Sequence, residues 1–191
     1  MNFVDIVFAS LLANNLLFFH FLGLGEFLGS EGAPNLARRT LVLTLVLLVA
    51  SAGYWVGDHY LLQIFHLEFL RTILVFLVLA LILAIYSAGF GAQKRQTAWP
   101  LPQELLVHSF LVGGVLLVGS SSPDLFEVLT AALATATGYG VALVLLRAVF
   151  SRLARESIPA FVQGLPLRLF ALGLVWLVLQ GLGFAFTGKA S

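Results

Sequence analysis

The sequence contains no cysteine. That excludes a disulfide framework, zinc held by thiolates and an iron–sulfur cluster bound by this chain alone. Charge is nearly as scarce: 10% of the 191 residues are Asp, Glu, Lys or Arg, against about 25% in a soluble domain. Too few charged side chains are available to cover a soluble surface. The amino-terminal apolar stretch lacks a basic flank, with Asp5 its only charge, and lacks a small-residue cleavage site. It therefore reads as a first membrane span, not as a secretory signal. Also missing are a phosphate-binding glycine loop, a Ser–His–Asp order and a paired-carboxylate motif. Soluble catalysis has no support, and no nucleic-acid partner is expected.

What is present is apolar: 60% of the chain, with a mean hydropathy of +1.03. Mostly apolar stretches fall at about 3–24, 39–57, 70–90, 101–118, 125–148 and 167–187. Each approaches the ~20 residues that a helix needs to cross a bilayer. Turn and charge clusters separate them, such as Gly57-Asp58-His59, Lys94-Arg95 and Ser120-Ser121-Ser122-Pro123-Asp124. The period-2 alternation of a membrane barrel is missing. The expectation is an all-α integral membrane protein, one domain over 1–191, with six transmembrane helices in the lipid bilayer.

Orientation follows from the basic residues. Arg38, Arg39, Lys94, Arg95, Arg147, Arg152, Arg155 and Arg168 share one side, whereas Arg71 and Lys189 lie on the other. By the positive-inside bias the first group is cytoplasmic, and both termini face away from the cytoplasm.

A shift of 89 residues lays Leu16–Gly25 over Leu105–Gly114 with five of ten positions identical, and Asn14-Asn15 over Gln103-Glu104. The halves, about 1–92 and 93–191, then hold three helices each and run in opposite senses. Such inverted repeats place their working site between polar or glycine-interrupted helices, here the first and fourth.

Several residues on those two helices could carry chemistry. Asn14 and Asn15 fit either hydrogen bonding between helices or local unwinding toward a cavity. Glu26, after Gly23 and Gly25, is an ion or proton ligand or a group in the aqueous interface. His108 and Ser109 sit inside the fourth span, where a single histidine serves packing more often than metal binding. Gly53-x-x-x-Gly57, Ala134-x-x-x-Gly138 and Ala136-x-x-x-Gly140 read as helix-packing faces. The basic stretch from Arg147 to Arg155 suits anionic headgroups.

Asn14-Asn15, then Phe21-Leu22-Gly23-Leu24 and Phe27-Leu28-Gly29, resembles the first helix of one membrane family. It comprises the RnfA subunits of Rnf-type electron transport complexes and the NqrE subunits of the sodium-pumping NADH:quinone reductase. Leu70-Arg71-Thr72, and Arg152-Leu153-Ala154 followed by Pro159-Ala160 and Gly164, are similar to later parts of that family. The resemblance implies a bacterial inner-membrane component of a complex that couples electron transfer from ferredoxin or NADH to sodium or proton movement. It implies as partners other Rnf/Nqr-like subunits, among them a homologous six-helix one. It also implies an iron–sulfur centre between the two homologous subunits, each giving two cysteines. The family's cysteine positions fall on Gly25 and Ser109, or on His108 in an alternative alignment. With thiols absent, three outcomes stay open: the partner supplies every ligand, the centre is lost, or the task has changed. The chain is then at most non-catalytic within the complex. A small secondary transporter of inverted-repeat architecture is the alternative.

Overall fold

The computed structural model describes residues 17, 20–23, 36–89, 108–120, 124–153, 159 and 162–187. Within them every regular element is helical: α1 (Leu36–Gly57), α2 (Arg71–Gly89), α3 (Ser109–Gly119), α4 (Leu125–Leu153) and α5 (Leu165–Thr187). These correspond to the second through sixth expected spans. Boundaries agree closely for α1, α2 and α5, while α4 runs past the expected end near 148 to Leu153. Only α3 is short. The fourth span was expected over about 101–118, and its described helix begins at Ser109, with residues 101–107 outside the described set.

Three described helices are long and apolar enough to cross a bilayer: Thr40–Leu62, Glu68–Ile85 and Leu125–Leu153. Their surfaces explain the composition. Leu41, Leu45 and Val49 on α1, and Ile73, Leu77, Leu81 and Ile85 on α2, all point outward and are well exposed. An outer face of branched aliphatic side chains is costly in water and favourable in lipid.

The interior is built around α1, which touches α4, α3 and α2. Leu43, Leu47, Ala50 and Tyr54 line its buried face and meet Val75 and Leu79 of α2, Phe110, Leu111 and Val115 of α3, and Ala132, Ala136, Tyr139 and Leu143 of α4. Small residues set these approaches. A Cβ on Gly53 would lie 3.1 Å from Val78, and one on Gly57 would lie 2.8 Å from Leu74, so this pair of glycines is the face on which α2 packs. On α4, a Cβ on Gly140 would meet Thr40 at 2.8 Å, which seats α1 against α4. In lipid, such close van der Waals packing takes over much of the work that water-driven collapse does in soluble cores.

Between α1 and α2 the chain turns without leaving helical geometry for long. A π-helical segment, Asp58–Leu62, follows Gly57, and a 3-10 turn, Glu68–Leu70, leads into Arg71. One ion pair pins this hairpin. Arg71 donates from Nε to Asp58 Oδ1 at 2.8 Å and from Nη2 to Oδ2 at 3.2 Å, and Gln63 Nε2 donates to Oδ2 at 3.0 Å. Asp58 is buried, whereas the Arg71 side chain remains 38% exposed.

Candidate functional site

The first expected span holds non-helical residues around Gly23. Among its described residues, His20 lies in a bend and Leu22-Gly23 in a turn, with φ of 54° at Phe21 and +81° at Gly23. A left-handed backbone suits glycine and strains a side-chain-bearing residue such as Phe21, so this turn is held by its surroundings.

Those surroundings come from α3 and α4. The Gly23 N–H donates to Ser109 Oγ at 2.9 Å, and the Tyr139 hydroxyl donates to the Gly23 carbonyl at 3.1 Å. Both backbone polar groups of one non-helical residue are thereby satisfied by side chains from two other helices. Gly23 allows this closeness, because a Cβ there would lie 2.6 Å from the Tyr139 ring. Leu22 in turn fills the space above Gly113 of α3. The Tyr139 ring stacks on Phe110, with centroids 3.9 Å apart and planes 20° from parallel.

Ser109 is the first residue of α3, and His108 is its extended N-cap residue, with φ −70° and ψ 106°. The His108 carbonyl accepts from the N–H groups of Leu111 (2.9 Å) and Val112 (3.2 Å). Its ring stands edge-on to Phe110, with centroids 6.3 Å apart. Thus His108 and Ser109 mark the point at which the described part of the fourth expected span becomes helical, and that point meets the non-helical residues Phe21–Gly23. Tyr139 lies near the middle of α4, about 21 Å along the axis from its start.

Of the residues singled out from the sequence, Ser109 and His108 are at this junction. Asn14, Asn15, Gly25 and Glu26 lie outside the described residues. Among the described residues, no three His, Cys, Asp or Glu side chains gather as metal ligands. Sequence reasoning missed Tyr139 and the Asp58–Arg71 pair. Tyr139 had a signal: a phenol set between Gly138 and Gly140 in an apolar span usually finds an acceptor when buried.

Comparison with known proteins decides the family. The Rnf-Nqr subunit family, described as a membrane protein family, matches residues 3–189. The chain belongs to the Rnf-Nqr family. It is 30% identical to the A-type subunit of the ion-translocating oxidoreductase complex of Glaesserella parasuis, over 98% of this chain and 97% of that one. The protein of the same name from Syntrophotalea carbinolica is 30% identical over 94% and 95%, and that of Shewanella loihica 29% over 98% and 97%. This Rnf-Nqr chain is therefore similar to its relatives from end to end, and its membrane character agrees with the apolar outer face of the helices.

The iron–sulfur centre that the family resemblance implies does not fit the donors present. Clusters are held by thiolates, and this sequence has none. At Ser109, where a ligand is expected, the side-chain oxygen already accepts the Gly23 N–H. The junction is closed by hydrogen bonds between helices.

Proposed function

We propose that this Rnf-Nqr chain is a non-catalytic membrane component of a complex that couples electron transfer to ion translocation. The observation that carries the reading is end-to-end similarity to proteins named as A-type subunits of an ion-translocating oxidoreductase complex. In this reading the chain spans the bacterial inner membrane six times, as inverted halves of about 1–92 and 93–191, with both termini on the non-cytoplasmic side. The meeting of Gly23 with Ser109 supports that architecture, because it joins the first helix of one half to the first helix of the other. The partners are the redox subunits of the complex together with a homologous six-helix protein.

In this role the chain gives no ligand to an iron–sulfur centre. Ser109 and Tyr139 instead fix the interrupted first span by hydrogen bonds, and Asn14, Asn15 and Glu26 are the ion-pathway residues of that span. Affinity purification of the tagged chain from its native membrane is the test. Co-purification with a homologous six-helix protein and flavin- or iron-containing subunits is the expected result. Isolation alone and folded, with substrate uptake by proteoliposomes of this chain only, would instead establish a secondary transporter. Iron content and EPR of the complex address the centre. If iron is found, replacing Ser109 with Ala should leave its amount and spectrum unchanged, whereas a changed spectrum would make Ser109 a ligand.

A further inference from the structure

Away from the junction, three buried polar side chains stand in a line on α1 and its extension. Ser51, Tyr54 and Asp58 are spaced i, i+3 and i+7, so they share one helix face over about 10 Å of rise. Ser51 and Tyr54 are fully buried, and Asp58 is 5% exposed. The helix widens into its π segment at Asp58, a distortion that frequently marks functional positions.

The two hydroxyls differ from that of Tyr139 at the junction. Among the described residues, neither Ser51 Oγ nor Tyr54 Oη has a hydrogen-bond partner. Tyr139, equally buried, donates to the Gly23 carbonyl. The Tyr54 ring is wedged over Gly119, where any side chain would collide with it, so the phenol is fixed in position. It lies within electrostatic range of both Asp58 and Arg71, and Glu68 lies within range of Arg71. Buried polar atoms without protein partners mark places where ordered water completes the bonding.

We propose that Ser51, Tyr54 and Asp58 line an internal water site that forms a proton inlet at the end of α1 closed by the Asp58–Arg71 pair. The charge arrangement selects the occupant. Arg71 already neutralises the Asp58 carboxylate, which leaves little net negative charge to hold a metal cation, whereas water bridging hydroxyls and a carboxylate conducts protons without it. On the orientation proposed above, this inlet opens at the non-cytoplasmic face. Its use in ion translocation rests on the proposed membership of the complex; the water site itself does not.

Radiolytic hydroxyl labelling of the full chain, read by mass spectrometry, tests the water directly, because buried tyrosines react when ordered water touches them. Tyr54 should be labelled at least about fivefold faster than Tyr139, which has a protein acceptor. Equal rates would overturn the proposal. Ser51→Ala should slow Tyr54 labelling about twofold or more by removing one of the water's partners, and an unchanged rate would remove Ser51 from the site. Labelling suppressed by sodium but not by choline would make these oxygens a cation site and overturn the proton assignment. In proteoliposomes of the complex, Tyr54→Phe should lower protons moved per electron transferred. An unchanged ratio would overturn the inlet while leaving membership of the complex intact.

Discussion

The backbone of Gly23 is gripped at both its N–H and its carbonyl, and the two grips have unequal backing. Ser109 Oγ accepts the Gly23 N–H at the start of a helix, whereas Tyr139 brings a whole ring that also stacks on Phe110. Tyr139→Phe keeps that ring and removes only the hydroxyl. Hydrogen bonds between helices in membranes contribute about 0.6 kcal/mol on average and up to about 1.7. A modest loss, about 1 kcal/mol, is therefore expected for Tyr139→Phe. Gly23→Ala should cost more, about 2–4 kcal/mol, because the new Cβ meets the Tyr139 ring at 2.6 Å and the residue must keep φ at +81°. Denaturation of the purified protein in detergent, monitored by circular dichroism, gives both values. The reverse order would mean that the junction relaxes around a side chain at position 23. Part of this site was legible in the sequence. The glycine cluster of the first span and the position of Ser109 were both visible, but their contact across 86 residues was not. Tyr139 escaped notice because its neighbours spelled a small-residue packing face, and a phenol's acceptor is a tertiary fact.

At the scale of elements, hydropathy located the helices well because span length is set by bilayer thickness rather than by subtle propensity. The expected ends of the second, third and sixth spans lie within three residues of α1, α2 and α5. Side-chain pairing between elements was less visible. Asp58 and Arg71 read as loop charges, yet they close the α1–α2 hairpin as a forked ion pair. Their different burial yields an asymmetric prediction. Removing Arg71 strands a buried carboxylate, whereas removing Asp58 leaves a guanidinium that can turn to solvent. Arg71→Met should therefore destabilise the protein more than Asp58→Asn, by roughly 1–2 kcal/mol. The double variant should recover part of the Arg71→Met loss. A double-mutant cycle on denaturation free energies measures this, and equal single losses with no coupling would show the fork to be dispensable.

For the whole molecule, the absence of cysteine that opens the sequence also makes its topology easy to test. Any thiol introduced is the only one in the chain. On the proposed orientation, Lys94 and Arg155 are on the cytoplasmic side and Lys189 is on the opposite one. A membrane-impermeant maleimide should then label Lys189→Cys in intact spheroplasts. It should label Lys94→Cys and Arg155→Cys only after the membrane is inverted or opened. Each substitution also removes a positive charge. Orientation is decided by the excess of Lys and Arg over many loops, so one change among the eight cytoplasmic-side residues named above should not reverse the insertion. The expected fourth, fifth and sixth spans all lie between Lys94 and Lys189, and three crossings place these two positions on opposite faces. Labelling of Lys94→Cys and Lys189→Cys from the same side would require an even number of crossings between them. The second half could not then hold three spans, and the two halves would no longer run in opposite senses. The Gly23–Ser109 contact would remain as packing, but it would cease to be the meeting of two opposed first helices.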